Sequence, residues 1–108
     1  MNKKIIYEEV LKLDGGVRNK GFEYLVQGIE EVYNNPNIGT IELYYKLADM
    51  NNDDRYKVER AIRYYIEMIF KKGNKQEIDK FNMKLNRNGI PIPTEFLKAF
   101  AVYLKINY

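Results

Sequence analysis

The stretch from Asp53 to Gly73, DDRYKVERAIRYYIEMIFKKG, constrains the fold most, because its apolar residues recur with the period of an α-helix. These apolar positions are Val58, Ala61, Ile62, Tyr65, Ile66 and Ile69. The opposite face carries Lys57, Arg60, Tyr64, Glu67 and Lys71. Asp53 or Asp54 can cap the start of such a helix, and Gly73 stands where a left-handed C-cap is expected. The stretch therefore predicts one long amphipathic helix with a mostly basic outer face.

The remaining chain is also predicted to be helical, with breaks at glycine, asparagine and proline. The predicted helices cover residues 3–13, 21–34, 41–49, 75–81 and 94–106, with Thr40 and Thr94 as N-caps. Residues 82–93, NMKLNRNGIPIP, are predicted to form a loop, although Asn88-Gly89 is a hairpin signal that would allow a short wing. Pro91 and Pro93 argue against long paired strands there. We expect an all-α fold, a compact bundle of about six helices, as a single domain over residues 1–108.

Composition excludes several classes of function. The chain has no Cys and no His, so disulfides, thiolate zinc sites and histidine-dependent catalysis are excluded. No acidic metal-loop pattern occurs, and we expect no enzymatic activity, cofactor, metal site or small-molecule substrate. Apolar runs are far shorter than the roughly 20 residues of a membrane span, and the N-terminus does not read as a secretory signal. We therefore expect a cytoplasmic protein without membrane contact.

The net charge of +3, from 18 basic and 15 acidic residues, is too small to predict a nucleic-acid partner by itself. The order of the elements is more informative. A short helix, the polar link Met50–Asn52 and a longer basic helix follow one another as in a helix-turn-helix unit. A helix fits the DNA major groove, with its N-terminal half at the base edges. The candidate DNA contacts on this helix are Tyr56, Lys57, Glu59, Arg60, Arg63 and Tyr64.

Alternatives to DNA contact remain open for these residues. The basic face of the helix can equally be a solvated surface, and Glu59 can either accept from a base or pair with Arg63 four residues on. Lys71 and Lys72 would also offset the negative end of the helix dipole. Most of the ten tyrosines are expected to be core or boundary residues.

Four stretches carry a family resemblance. They are KGFEYLVQGIEEVYN (20–34), LYYKLADMNN (43–52), KVERAIRYYIE (57–67) and KKGN (71–74), with a weaker match at PTEFLKAFAVYLKIN. The chain resembles the C-terminal effector domain of the sporulation stage-zero response regulators of endospore-forming Firmicutes, and VERAIR is the most specific element. The resemblance implies an all-helical domain with a helix-turn-helix, a recognition helix after Asp53, and copies that bind DNA head to tail through contacts of the last helix.

The resemblance also implies roles for individual residues. It places Lys57, Glu59 and Arg60 at base-facing positions, and Arg63 and Tyr64 near bases or backbone. We further expect backbone or flanking contacts from Arg55, Tyr56 and Lys71. The apolar last helix completes the core or exposes a strip for self-association, for which Phe96, Phe100 and Tyr103 are the candidates.

Three departures from the family alter these expectations. Lys57 stands where the family has Arg, and Lys cannot form the planar two-bond fork to guanine. Tyr64 stands where the family has His, so we expect an altered operator preference. The 108 residues leave no room for the family's phospho-receiver, so the chain is either a stand-alone relative or a cut domain. Because the sequence starts at Met1, we expect a stand-alone protein whose DNA binding is constitutive or governed by concentration and partners.

The sequence thus predicts a sequence-specific double-stranded DNA-binding protein, either a small transcriptional regulator or a plasmid or phage accessory factor. The recognition helix would be residues 53–72, and the protein would bind as a homodimer or as head-to-tail copies. The alternative is a protein-interaction module that modulates a related full-length regulator through the C-terminal helix.

Overall fold

Six α-helices and no strand make up the computed structural model, which describes residues Met1–Tyr108. The helices are α1 (Lys3–Leu11), α2 (Lys20–Asn34), α3 (Thr40–Asn51), α4 (Arg55–Lys72), α5 (Lys75–Asp79) and α6 (Pro93–Asn107). The predicted all-α fold of about six helices is therefore confirmed. None of the helices is both long and apolar enough to cross a lipid bilayer.

Helix α2 lies at the centre of the fold and packs against α1, α3, α4 and α6. Its Phe22, Leu25, Val26 and Ile29 have no exposed surface, which follows from apolar residues repeating every three or four positions. Helix α4 also packs against α3 and α6. The long amphipathic helix is thus held by three neighbours, and only its basic side remains free.

Two of the predicted helix starts are wrong in detail. Helix α3 has Gly39 rather than Thr40 at its N-cap, and Thr40 is its first residue. Helix α6 begins at Pro93, so Thr94 lies inside the first turn and Ile92 takes the capping position without a side-chain hydrogen bond. Proline fits this first turn because the missing N–H has no intrahelical partner there.

The end of α4 differs from the predicted left-handed cap. Gly73 is extended, with φ −75° and ψ −179°. A positive φ is therefore not the reason why this position requires glycine. A Cβ atom at this position would collide with the carbonyl oxygens of Leu13 and Ile69. The next residue, Asn74, donates its backbone N–H to the same Leu13 oxygen at 2.9 Å. Close packing of two chain segments therefore explains the glycine.

The connection between α5 and α6 contains a tight turn but no paired strands. The loop predicted for residues 82–93 is therefore confirmed, and the short wing that Asn88-Gly89 would allow does not form. The backbone N–H of Asn86 donates to the Ile90 carbonyl at 2.9 Å, and that of Gly89 donates to the Asn86 carbonyl at 3.0 Å. Gly89 has φ 78°, the left-handed conformation that the Asn-Gly signal predicts. Pro91 is buried, which anchors the end of the turn.

Helix α6 buries two of the three residues predicted for self-association. Phe96 and Phe100 are 0% exposed, and Phe100 stacks on Phe81 with ring centroids 4.5 Å apart. These two side chains complete the core and cannot reach a second molecule, so the expectation for them is wrong. Tyr103 is half-buried against Phe81. The apolar side chains that α6 does expose include Val102, at 56%, and Ile106, at 77%.

Candidate nucleic-acid interface

A three-residue link joins α3 to α4 and fixes the direction in which α4 leaves. Asn52 adopts the left-handed conformation, with φ 51° and ψ 50°. The N–H of Asp53 then bonds the Ala48 carbonyl at 2.9 Å, which closes the end of α3 in a Schellman-type turn. The Asp54 carboxylate accepts the backbone N–H groups of Tyr56 and Lys57 and so caps α4. Helix, short turn and longer helix follow the order of a helix-turn-helix unit.

Side chains of α2 hold this link in place. The Tyr24 hydroxyl donates to Asp53, and the amides of Gln27 and Asn51 exchange two hydrogen bonds of 3.2 and 2.6 Å. Burial, together with the bond to Asp53, raises the pKa of Tyr24 to about 12. The same bond, assisted by the Asp54 N–H, lowers the pKa of Asp53. The start of α4 is therefore positioned by polar contacts as well as by the core.

The free face of α4 carries most of the predicted contact residues. Tyr56, Lys57, Arg60, Arg63, Tyr64 and Lys71 are all exposed, whereas Val58, Ile62, Tyr65, Ile66 and Ile69 are buried. The predicted division of Tyr64 outside and Tyr65 inside is confirmed. Among the cations, the side chains of Lys57, Arg60 and Lys71 form no ion pair and no hydrogen bond within the protein. Their charges are available to a ligand.

Glu59 is engaged differently from its cationic neighbours. Its carboxylate pairs with Nε of Arg63 at 3.1 Å, so of the two alternatives for Glu59 the structure contains the internal ion pair. The Arg63 guanidinium also lies 5.3 Å from the Tyr64 ring centroid. Tyr44 lies close to this pair. Its burial, together with the nearby charge of Glu59, raises the pKa of Tyr44 to about 12. Arg63 is thus held against the surface of α4.

Arg55 is held by two aromatic rings at the start of α4. Its guanidinium carbon lies 4.7 Å from the ring centroid of Tyr45 and 4.4 Å from that of Tyr56, and it donates to the Tyr56 hydroxyl at 2.5 Å. No carboxylate pairs with it. Tyr45 is a residue that the sequence reasoning missed. The available signal was the helical phase of α3, which places Tyr44 inward and Tyr45 outward.

No group of acidic side chains is arranged to hold a metal ion. The family model described as the sporulation initiation factor Spo0A C terminal matches residues 6–104. The chain belongs to this family. Spo0A C-terminal domains are DNA-binding effector domains and not catalytic ones, so DNA binding is supported for this chain at that general level. The resemblance carried by VERAIR is confirmed.

Proposed function

We propose that this protein binds double-stranded DNA sequence-specifically, as a small transcriptional regulator or as a plasmid or phage accessory factor. Helix α4 would enter the major groove with Lys57 and Arg60 toward the base edges. The observation that carries the proposal is the state of these two side chains, which are exposed on the N-terminal half of α4 and have no partner in the protein.

The residues of α4 would divide into base contacts and backbone contacts. Arg60 has the fork geometry that can donate two hydrogen bonds to a guanine, whereas Lys57 would supply a single point of charge. Glu59 could accept from a cytosine amino group through Oε1, because the bond from Arg63 occupies only Oε2. Arg63 and Tyr64 would then position the helix on phosphates.

The two ends of α4 would add further backbone contacts. Arg55 and Tyr56 lie at its start as one cluster, and Lys71 lies in its last turn. These contacts would fix the register of the helix on the duplex without reading sequence. The family arrangement of neighbouring copies would apply here as a homodimer or as head-to-tail copies on DNA.

The test begins with selection of bound duplexes from a random DNA pool. The affinities of the wild type, Arg60→Ala and Lys57→Ala are then compared on a selected duplex and on its scrambled version. Arg60→Ala should weaken binding to the selected duplex by about 1–3 kcal/mol, and it should bring the two affinities closer together. Lys98→Ala, on the outer face of α6, is the matched control and should keep the preference. Unchanged preference in both α4 variants would refute the assignment.

A second candidate function is a protein-interaction module that uses α6. The observation that favours it is the exposure of Val102 and Ile106 beside a groove of about 570 Å³ between α6 and the segment around Phe81. Such a module would bind a related full-length regulator without needing DNA. Gel-shift experiments with random duplex at low salt separate the two functions, because a DNA-binding protein shifts the duplex and a pure interaction module does not.

A further inference from the structure

The loop from Asn82 to Ile92 carries cationic side chains to which the proposed function assigns no role. The chain has no acidic residue between Asp79 and Glu95, whereas Lys84 and Arg87 are both exposed. Neither of these two side chains forms an ion pair, a hydrogen bond or a contact with an aromatic ring face. The loop is therefore a locally positive surface with unused donors.

The tip of this loop has a defined shape. The backbone bonds of Asn86 with Ile90 and of Gly89 with Asn86 close it into a tight turn. On either side of the turn, Met83 and Ile90 pack against the hydrophobic core, and Pro91 is buried. Because both ends are anchored, the tip would hold a ligand with a small loss of backbone entropy.

The loop lies beside the proposed DNA-reading helix. A groove of about 250 Å³ separates them and is lined by Arg63 and Glu67 of α4 and by Asn86 and Asn88 of the loop. The other flank of α4 faces the start of α2, where a second groove includes Tyr64 together with Asn19 and Lys20. The exposed face of α4 is therefore bordered on both sides by polar chain segments.

We propose that the loop tip binds the sugar-phosphate backbone of the duplex, with Arg87 as the main contact and Lys84 as a supporting charge. This inference rests on the proposed function of α4. The major groove is about 12 Å wide and is filled by one helix, so an element beside that helix meets a phosphate ridge rather than base edges. An unpaired guanidinium suits phosphate oxygens, and such a contact adds affinity and register but no sequence preference.

The test compares Arg87→Gln with Lys98→Gln, which removes the same charge from the outer face of α6. Kd is measured on a random-sequence duplex over a series of salt concentrations. The binding constant falls as salt rises, and the loss of one phosphate contact should make the slope of log K against log salt less steep by about 0.9. Between about 50 and 200 mM salt, the wild type should then lose roughly threefold more affinity than Arg87→Gln. Lys98→Gln should keep the wild-type slope, and so should Arg87→Lys, which retains the charge.

The readouts separate this inference from the proposed function. A wild-type protein that binds no duplex would refute the function of α4. Sensitivity to Arg60→Ala combined with a wild-type slope in Arg87→Gln would refute the loop contact alone. Phosphate ethylation interference supplies an independent measurement, because Arg87→Gln should lose the interference signal at phosphates on one side of the bound groove. An unchanged interference pattern in Arg87→Gln would overturn the inference.

Discussion

The Tyr24 hydroxyl donates a hydrogen bond of 2.5 Å to Oδ2 of Asp53, which joins the central helix α2 to the link before α4. The other carboxylate oxygen, Oδ1, accepts the backbone N–H of Asp54 at 2.8 Å. Asp54 in turn caps the first turn of α4. One side chain of the core helix therefore controls the start of the helix that carries Lys57 and Arg60.

Tyr24→Phe removes this hydroxyl and should lower the free energy of unfolding at pH 7. The loss should depend on pH. The folded protein holds the pKa of Asp53 below its usual value through the Tyr24 bond first and the Asp54 N–H second. A lowered carboxyl pKa stabilises the fold above the unfolded value near 3.9, and that contribution disappears as the pH falls through the folded pKa. The stability difference between wild type and Tyr24→Phe should therefore shrink below about pH 4.

Urea unfolding of the two proteins from pH 7 to about pH 2 measures this difference. Tyr33→Phe is the control, because the Tyr33 hydroxyl forms no hydrogen bond within the protein. A Tyr24→Phe difference that stays constant across the whole range would contradict the role of the Asp53 carboxylate.

Glu59→Gln should raise the affinity for random duplex, because it removes a negative charge from the free face of α4 and releases Arg63. The salt slope should increase by up to about 1 if Arg63 then binds a phosphate. The cost in stability should be only about 0.3–0.5 kcal/mol, since the lost pair is a surface pair at i and i+4. Gel-shift titration at several salt concentrations measures both affinity and slope.

Glu8→Gln on α1 is the matched control for the change in net charge and should leave the slope unaltered. Weaker binding of Glu59→Gln to a selected duplex without any gain on random duplex would mean that Glu59 accepts from a base when DNA is bound.

Tyr45→Ala should weaken duplex binding by roughly two- to fivefold, because it removes one of the two rings that hold the Arg55 guanidinium. This range corresponds to about 0.5–1 kcal/mol for an exposed cation–π contact. Tyr45→Phe keeps the ring and should bind like the wild type. Equal affinities for Tyr45→Ala and Tyr45→Phe in a fluorescence anisotropy titration would show that Arg55 does not need this ring.

The sequence predicts those parts of the fold that depend only on the helical repeat of apolar residues. In α4 the repeat from Val58 to Ile69 correctly predicts the buried side, because a helix that exposed this stripe would lose its hydrophobic stabilisation. The same phase correctly separates Tyr64 from Tyr65. The exposure of Lys57 and Arg60 follows from the same geometry.

The remaining features depend on contacts between segments that are distant in sequence. Gly73 has the residue type of a left-handed cap, but its conformation is set by the Leu13 carbonyl, sixty residues earlier in the chain. The apolar character of α6 did not reveal that Phe100 would stack on Phe81. Sequence periodicity assigns residues to a face, whereas the neighbour that covers this face is known only from the tertiary structure.

Gly73→Ala should destabilise the protein by about 1–3 kcal/mol, because the new methyl group would force apart the packed segments around Leu13 and Ile69. Gly39→Ala is the matched control. Gly39 has φ −70°, and no atom lies within 4 Å of a Cβ built there. That substitution should change stability by less than about 1 kcal/mol, because the smaller entropy of the unfolded chain offsets the poorer N-cap that alanine makes for α3. Chemical denaturation of both variants measures the contrast, and equal losses would contradict the close approach at Gly73.

The two sides of α6 should respond oppositely to truncation. Phe100→Ala should cost about 3–5 kcal/mol, because the ring is fully buried and stacks on Phe81. Val102→Ala, two residues later on the exposed side, should change stability by no more than about 0.5 kcal/mol. If α6 contacts a second molecule, Val102→Ala should also weaken self-association, measured by sedimentation velocity. Its unfolding midpoint should stay that of the wild type. A large loss of stability in Val102→Ala would mean that this side chain belongs to the core.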